Sequence, residues 1–261
     1  MSDRPLALVT GASAGLGEAY ARALGARGFD LVVTARREDR LQALANDVHG
    51  RTDVKVRVIA ADLRDRDAPK QIAAFVHLLG RPLDLLVNNA GFGVYGEARE
   101  IPVERDLEMV DVNVRAMVEV TKRFLPAMLE RGAGAIMHLA STAAFQPVPL
   151  MATYGATKAF VLHWSEALAR EAAPHGVRIL AVCPGTTDTE FQSVANVTAP
   201  SSVTMDPVDV VRRSLRALEK GKHVIVPGAL NKLQIAGVRL APRRAVTAVG
   251  ARVMRGRKPQ G

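Results

Sequence analysis

The feature that most restricts this chain is an apolar run at 5–10, PLALVT, that ends in the glycine-rich turn GASAGLG and passes into an Ala- and Leu-rich stretch over 16–27. A strand, a tight turn and a helix is the order those residue types favour. The unit recurs. Strands are expected near 30–35 (DLVVTA), 54–60 (VKVRVIA) and 84–87 (DLLV), with helices at 38–48 and 66–79 between them. Such repetition argues a parallel sheet, because parallel neighbours need a crossover and a helix supplies it. Further on come a helical stretch over about 103–131, a strand at 134–140 (GAIMHLA), a helix over about 152–173, a strand at 177–183 (VRILAVC), a helix at 207–220 and a last strand in HVIV. The expected architecture is α/β: a doubly wound parallel sheet of about seven strands in one domain.

Composition narrows the class. With 261 residues, 48% hydrophobic and 23% charged, the chain can bury one continuous core, which excludes extended disorder. Its single cysteine, Cys183, excludes a disulfide-stapled scaffold. The N-terminus MSDRPLALVTGAS lacks a signal-peptide pattern, and nowhere do 18 uncharged apolar residues run together, so a cytoplasmic protein is expected. The net charge of +9 is unevenly spread: from 211 onward thirteen Lys and Arg face one acid, Glu219, leaving residues 1–210 mildly acidic. Basicity therefore belongs to the C-terminal end.

Gly11, Gly15 and Gly17 form G-x-x-x-G-x-G directly after the first strand. Glycines there let the backbone approach a pyrophosphate, which the following helix N-terminus stabilises with free N–H groups. No GK[ST] follows, which disfavours a nucleoside-triphosphate loop. At the end of the second strand, where an acid would accept from an adenosine 2′-hydroxyl, stand Ala35, Arg36 and Arg37. An acid repels a 2′-phosphate, whereas a guanidinium offers it charge and paired donors. NADP(H) is the expected cofactor, with Arg36 as the main 2′-phosphate contact; the plainer alternative is that both arginines begin a solvated helix.

Tyr154 and Lys158 form Y-x-x-x-K, which on a helix places both side chains on one face a turn apart. The motif is short, but it stands in a series: 10–17, then Asp62, NNAG at 88–91, Asn113, Ser141, Tyr154, Lys158 and Pro184-Gly185. That series, over about residues 5–190, resembles the short-chain dehydrogenase/reductase family, whose fold is of Rossmann type. What the resemblance implies agrees with the chemistry. A phenol with an ordinary pKa of about 10 is poorly matched to neutral pH, and a neighbouring ammonium favours its phenolate. Tyr154 is expected as general acid and base, with Lys158 lowering its pKa. Ser141, after the fifth strand, is placed to hold the substrate oxygen, although a strand-end cap is the rival reading.

The remaining assignments are carried by the resemblance. Asn113 matches a residue that holds a water linking the lysine to solvent, and Lys158 also bonds the nicotinamide ribose. Ser13, Leu16 and the three turn glycines belong to the phosphate cradle. Asp62 and Leu63 match the adenine end, while Asn89, Ala90 and Gly91 match the segment that lines the adenosine pocket and braces the sheet. Pro184 and Gly185 are expected to pass the nicotinamide, with Thr189 on its carboxamide. Thr187 is expected among the cofactor contacts, at a position where many members have Val.

Candidate substrate-facing residues are Phe92, Val94, Tyr95, Ala143, Phe145, Pro147, Val148 and Phe191. Their apolar character suits a hydrophobic ketone, aldehyde or alcohol. His138 and His163 have no partner at ligand spacing, so no metal is expected. The Ser-, Thr- and Ala-rich stretch 186–206 reads as a mobile loop, and GRKPQG at the end as disordered.

Residues 1–228 are expected to form the catalytic domain, with 229–261 as a basic amphipathic tail split by Pro242 and packed on or beside it. Such a tail can meet an anionic membrane surface, meet acidic partners, or simply cover the core; a nucleic-acid partner is not expected, since the tail lacks aromatics. A homodimer through 103–131 and 152–173 is expected. The chain does not end in the short glycine-rich tail of many tetrameric members, which argues against a tetramer. Two other readings stay open: a dinucleotide-binding sensor without turnover, and an epimerase or dehydratase of the wider family, which ordinarily has a further substrate domain.

Overall fold

The computed structural model describes residues 4–198 and 204–256. Part of the expected loop, 199–203, and the end from 257 on lie outside the described residues. Seven parallel strands form one sheet in the order β3-β2-β1-β4-β5-β6-β7. They are β1 (Leu6–Thr10), β2 (Asp30–Ala35), β3 (Val56–Ala60), β4 (Leu85–Asn88), β5 (Gly134–Leu139), β6 (Val177–Val182) and β7 (Val224–Ile225). The order reverses between β1 and β4, and the crevice beyond the carboxyl ends of those two strands is where such a sheet receives ligands.

Alternation along each strand explains the two layers. Ala7, Val9, Leu31, Val33, Leu85 and Val87 face one core. The intervening Leu6, Leu8, Val32 and Leu86 face the other. Both faces are apolar, so both must be covered. The first is covered by α1 (Gly15–Gly25), α2 (Glu38–Thr52) and α8 (Pro207–Glu219), through Tyr20, Leu24, Leu41, Val48, Val211 and Leu215. Across the sheet, α3 (Ala68–His77), α5 (Met117–Arg131) and α6 (Ala152–Ala172) bring Ile72, Val76, Val120, Phe124, Leu168 and Ala172.

One expectation changes. The long helix over 103–131 is α4 (Val103–Val110), a π-helical stretch (Asp111–Ala116) and α5. Its apolar spacing continues through the π stretch, so side-chain pattern alone does not reveal the wider turn. The loose stretch after β6 holds a short helix, α7 (Phe191–Val194), and a bridge between Thr187 and Met205. At the C-terminal end, Pro242 does separate two helices, α9 (Ala229–Leu240) and α10 (Arg243–Arg255). Among the described residues no helix is long and apolar enough to cross a membrane.

Candidate active site

At the carboxyl ends of β1 and β4, one side chain from each strand's end ties the two turns together. The Thr10 hydroxyl accepts from the Asn89 and Ala90 amides at 3.0 and 3.1 Å. The Asn89 amide donates back to the Thr10 and Gly11 carbonyls at 2.9 and 3.1 Å. Asn89 is thus a brace of the glycine turn. Its neighbour Asn88 braces too, donating to Thr121 in a buried chain that continues through His138 to Ser165. Burial holds the His138 imidazole down to about 3, so it is a neutral core histidine.

The turn itself fits a pyrophosphate. A Cβ on Gly17 would lie 2.2 Å from the Gly11 carbonyl oxygen, so only glycine lets the helix start this close to the strand. Ala14 at the N-cap gives α1 no side-chain cap. The first N–H groups of the helix are therefore left to an external acceptor. Leu16 packs against the core below the turn.

Arg37 is drawn onto the turn, its Nε and Nη2 each 3.2 Å from Ser13 Oγ. Its Nη1 pairs with Glu190 at 2.8 Å, and Arg40 pairs with the same carboxylate. Arg36, the expected main contact, is exposed and lies within electrostatic reach of Asp62. Burial works to raise the Asp62 carboxyl, but the hydrogen bonds from Arg64 outweigh it and hold the group below its ordinary value. Leu63 is buried, and its carbonyl accepts from Arg115.

Deeper in the crevice, Tyr154 and Lys158 lie buried on α6, with Lys158 Nζ 5.8 Å from the phenol ring centre. Nζ donates to the Leu139 carbonyl at 2.7 Å. The Ser141 hydroxyl accepts from the Ala143 amide at 3.1 Å. Ser141 is therefore the cap of the short 3₁₀ turn Thr142–Phe145, and its own proton is left to donate towards the Tyr154 oxygen.

The expectation that the Tyr154 pKa lies below its ordinary value needs correction. Burial raises the phenol to about 12, with Ser141 as the counteracting hydrogen-bond partner, and burial lowers Lys158 to about 8. Both groups lose water at once, and desolvation dominates in each.

Asn113 lies in the π stretch. Its amide donates to the Phe92 carbonyl and to Thr157 Oγ1, and its Oδ1 accepts from the Phe92 amide at 3.0 Å. All of these bonds fasten the β4 turn to α6. Gly91 runs between Asn113 and Lys158: a Cβ there would lie 2.9 Å from Asn113 Oδ1 and 3.3 Å from Lys158 Nζ. Ala90, beside it, is half-buried.

After β6, the Pro184 carbonyl accepts from Thr142 at 2.9 Å, and Thr187 donates to the Gly185 carbonyl at 3.1 Å. Thr189 packs over the first turn, 3.0 Å from where a Gly15 Cβ would stand.

The expected substrate-facing residues divide. Phe92, Val94, Tyr95, Ala143, Val148 and Phe191 gather around Tyr154, whose ring centre is 5.2 Å from that of Phe191. Phe145 instead packs beside Val161 and Leu162, under the Arg239 guanidinium. Three contributors escaped the sequence reading. Met254 of α10 is buried in the Tyr154 cluster, and its carbonyl accepts from the Tyr95 hydroxyl at 2.9 Å. Asn231 of α9 stands against Gly185, its Oδ1 2.5 Å from where a Cβ would be. Glu190 is the third. None carries a motif, since each acts across more than 40 residues of chain.

Comparison with known proteins agrees with this geometry. The model of the family described as short chain dehydrogenase matches residues 5–199. Sulfoacetaldehyde reductase 2 of Chromohalobacter salexigens is 38% identical over 196 residues, 74% of this chain and 76% of that protein. A short-chain dehydrogenase from Sphingobium yanoikuyae, solved in complex with NADPH, superposes with a TM-score of 0.83 at 32% identity, over 90% of this chain and 93% of that one. The bulky-bulky ketone specific alcohol dehydrogenase from Comamonas testosteroni gives 0.79 at 30% identity, over 91% and 93%.

Proposed function

The chain belongs to the short-chain dehydrogenase family, and from that premise we propose that this oxidoreductase moves hydride between NADP(H) and an apolar ketone or aldehyde and its alcohol. The observation that carries the reading is the buried trio Ser141, Tyr154 and Lys158 facing an apolar cluster.

When bound, the nicotinamide supplies or accepts the hydride. Residues 11–17 and the α1 N-terminus would hold its pyrophosphate, Arg36 and Arg37 the 2′-phosphate, and Asp62, Leu63 and 89–91 the adenosine end. Lys158 would hold the ribose, and Pro184, Gly185, Thr187 and Thr189 the nicotinamide end. The NADPH complex of the Sphingobium relative supports this cofactor, as do the guanidinium groups at the end of β2.

Ser141, whose hydroxyl accepts from the Ala143 amide, can turn its own proton to the substrate oxygen. With its pKa near 12, Tyr154 is protonated at neutral pH and gives that proton to the oxygen in the reductive direction. Lys158, at about 8, is mostly cationic at pH 7, and its charge favours the phenolate left behind. Asn113 acts through position, fixing the turn that carries Gly91.

Of the three named relatives, one is a sulfoacetaldehyde reductase and one a bulky-bulky ketone specific alcohol dehydrogenase. The apolar cluster favours the bulky-ketone side. A charged aldehyde would call for a free cation there, and Arg105, stacked 5.1 Å over Phe92, is already paired with Glu108 at 2.6 Å. A homodimer belongs to the same proposal, supported by exposed Val103, Leu107, Val110 and Phe160 on α4 and α6. A cytoplasmic location is supported by the lone buried thiol of Cys183.

The test is a panel of bulky apolar ketones and small charged aldehydes, followed by absorbance with NADPH and NADH. Turnover of bulky ketones is expected, with kcat/KM higher on NADPH by about tenfold, one well-made phosphate contact's worth. NADPH binding without turnover on any compound would instead make the chain a sensor.

A further inference from the structure

The outer faces of the last two helices differ from the rest of the surface. Ile235 and Asn231 turn one side of α9 towards the body of the protein, while Leu230, Leu233 and Leu240 stand on the opposite side, exposed by 66%, 71% and 89%. On α10, Val246 and Met254 are buried, and Val249 and Val253 are exposed. Six cations surround these apolar groups: Lys232, Arg239, Arg243, Arg244, Arg252 and Arg255, all exposed. Among the described residues none of the six pairs with a carboxylate, and the chain has no acid after Glu219.

We propose that α9 and α10 together form a docking surface for an anionic lipid bilayer, lying flat on the headgroups with the leucines inserted. Charge selects this occupant. A second copy would cover the leucines only by bringing the same unpaired cations together, which costs Coulomb energy at contact distance. A nucleic acid would neutralise the cations but leave the leucines in water. An anionic bilayer satisfies both: apolar side chains enter the acyl boundary, and Lys and Arg reach phosphate from long apolar stems.

The same helices line the crevice from inside. The Tyr95 hydroxyl bonds the Met254 carbonyl, and Asn231 abuts Gly185, so a docked surface would hold the site's mouth close to the lipid. The proposal goes beyond the assigned reaction and stands without it.

Flotation of the full chain with vesicles tests it, using phosphatidylcholine alone and phosphatidylcholine with phosphatidylglycerol, at low and high salt, with no carbonyl or nucleotide present. Binding is expected only on the anionic vesicles, falling at least about tenfold at high salt, as screened polybasic contacts do. The variant L230S/L233S/L240S should lose binding while keeping its thermal melt and its NADPH affinity, which separates this result from failure of the cofactor reading. Equal binding to neutral vesicles, no binding to either, or self-association in solution that the triple variant abolishes would each overturn the proposal.

Discussion

Glu190 holds Arg37 in a 2.8 Å ion pair, and that contact joins the segment after β6 to the first residue beyond Arg36. The same carboxylate takes Arg40, so two of the three guanidiniums near the end of β2 are engaged by a side chain of like sign to a phosphate. The arginines hold Glu190 below its ordinary pKa, so it competes with phosphate as an anion at every pH of interest. Glu190→Gln is expected to tighten NADPH binding by about two- to fivefold, the size of an exposed ion pair, and to leave NADH unchanged. Fluorescence titration at two salt concentrations measures both. Weaker NADPH binding would mean that Glu190 orients Arg37 rather than competing for it.

Tyr154→Phe removes the hydroxyl and keeps the ring that packs against Phe191. Turnover should fall by at least about a hundredfold, the usual share of a positioned acid or base. NADPH affinity and the thermal melt should stay near wild type. Retained activity would remove the phenol from the reaction.

Burial lowers Lys158 from 10.5 to about 8, which makes stability depend on pH in a known direction. Between those values the unfolded chain binds more protons than the folded one, so stability rises with pH across the window. The penalty is fully present below pH 8, on the order of 3 kcal/mol, and gone above 10.5. Tyr154 acts oppositely above its ordinary value of 10, and the buried Cys183 thiol, raised from 9.0 to about 12, acts oppositely from about pH 9, so measurements at pH 7 to 9 isolate the lysine. Urea unfolding should show the wild type gaining stability over that range and Lys158→Met lacking the gain. A parallel rise in both proteins would assign it elsewhere.

The parts of this molecule that the sequence discloses are those carried by local pattern. Strands such as Leu6–Thr10 and Asp30–Ala35 are apolar on both faces and end in turn residues, so their existence and order follow from composition. The glycine turn and Tyr154-x-x-x-Lys158 are legible for the same reason, since their geometry is set within a few residues. Ser141 shows the limit: capping Ala143 and facing substrate need the same residue at the same strand end, and spacing cannot separate them. The π stretch around Asn113 changes backbone bonding without changing the apolar rhythm. Glu190, Asn231 and Met254 reach the crevice through tertiary folding, which no local pattern records.

Asn231 offers a direct test of how the C-terminal helices join the site. Its amide is pinned by a 2.7 Å bond to the Pro227 carbonyl, with Oδ1 pressed towards Gly185. A methyl group on Gly185 would meet that oxygen at 2.5 Å, so Gly185→Ala must push Asn231 off its bond or shift the turn after β6. The expected cost is about 1 kcal/mol or somewhat more, in the range of overpacked sites. Asn231→Ala opens the space, and the double variant should recover most of the loss, a coupling that independent sites would lack. Denaturant unfolding of the four proteins gives the coupling, and NADPH KM should follow it, since Gly185 lies on the proposed nicotinamide side. Additive losses would show that α9 does not support the turn.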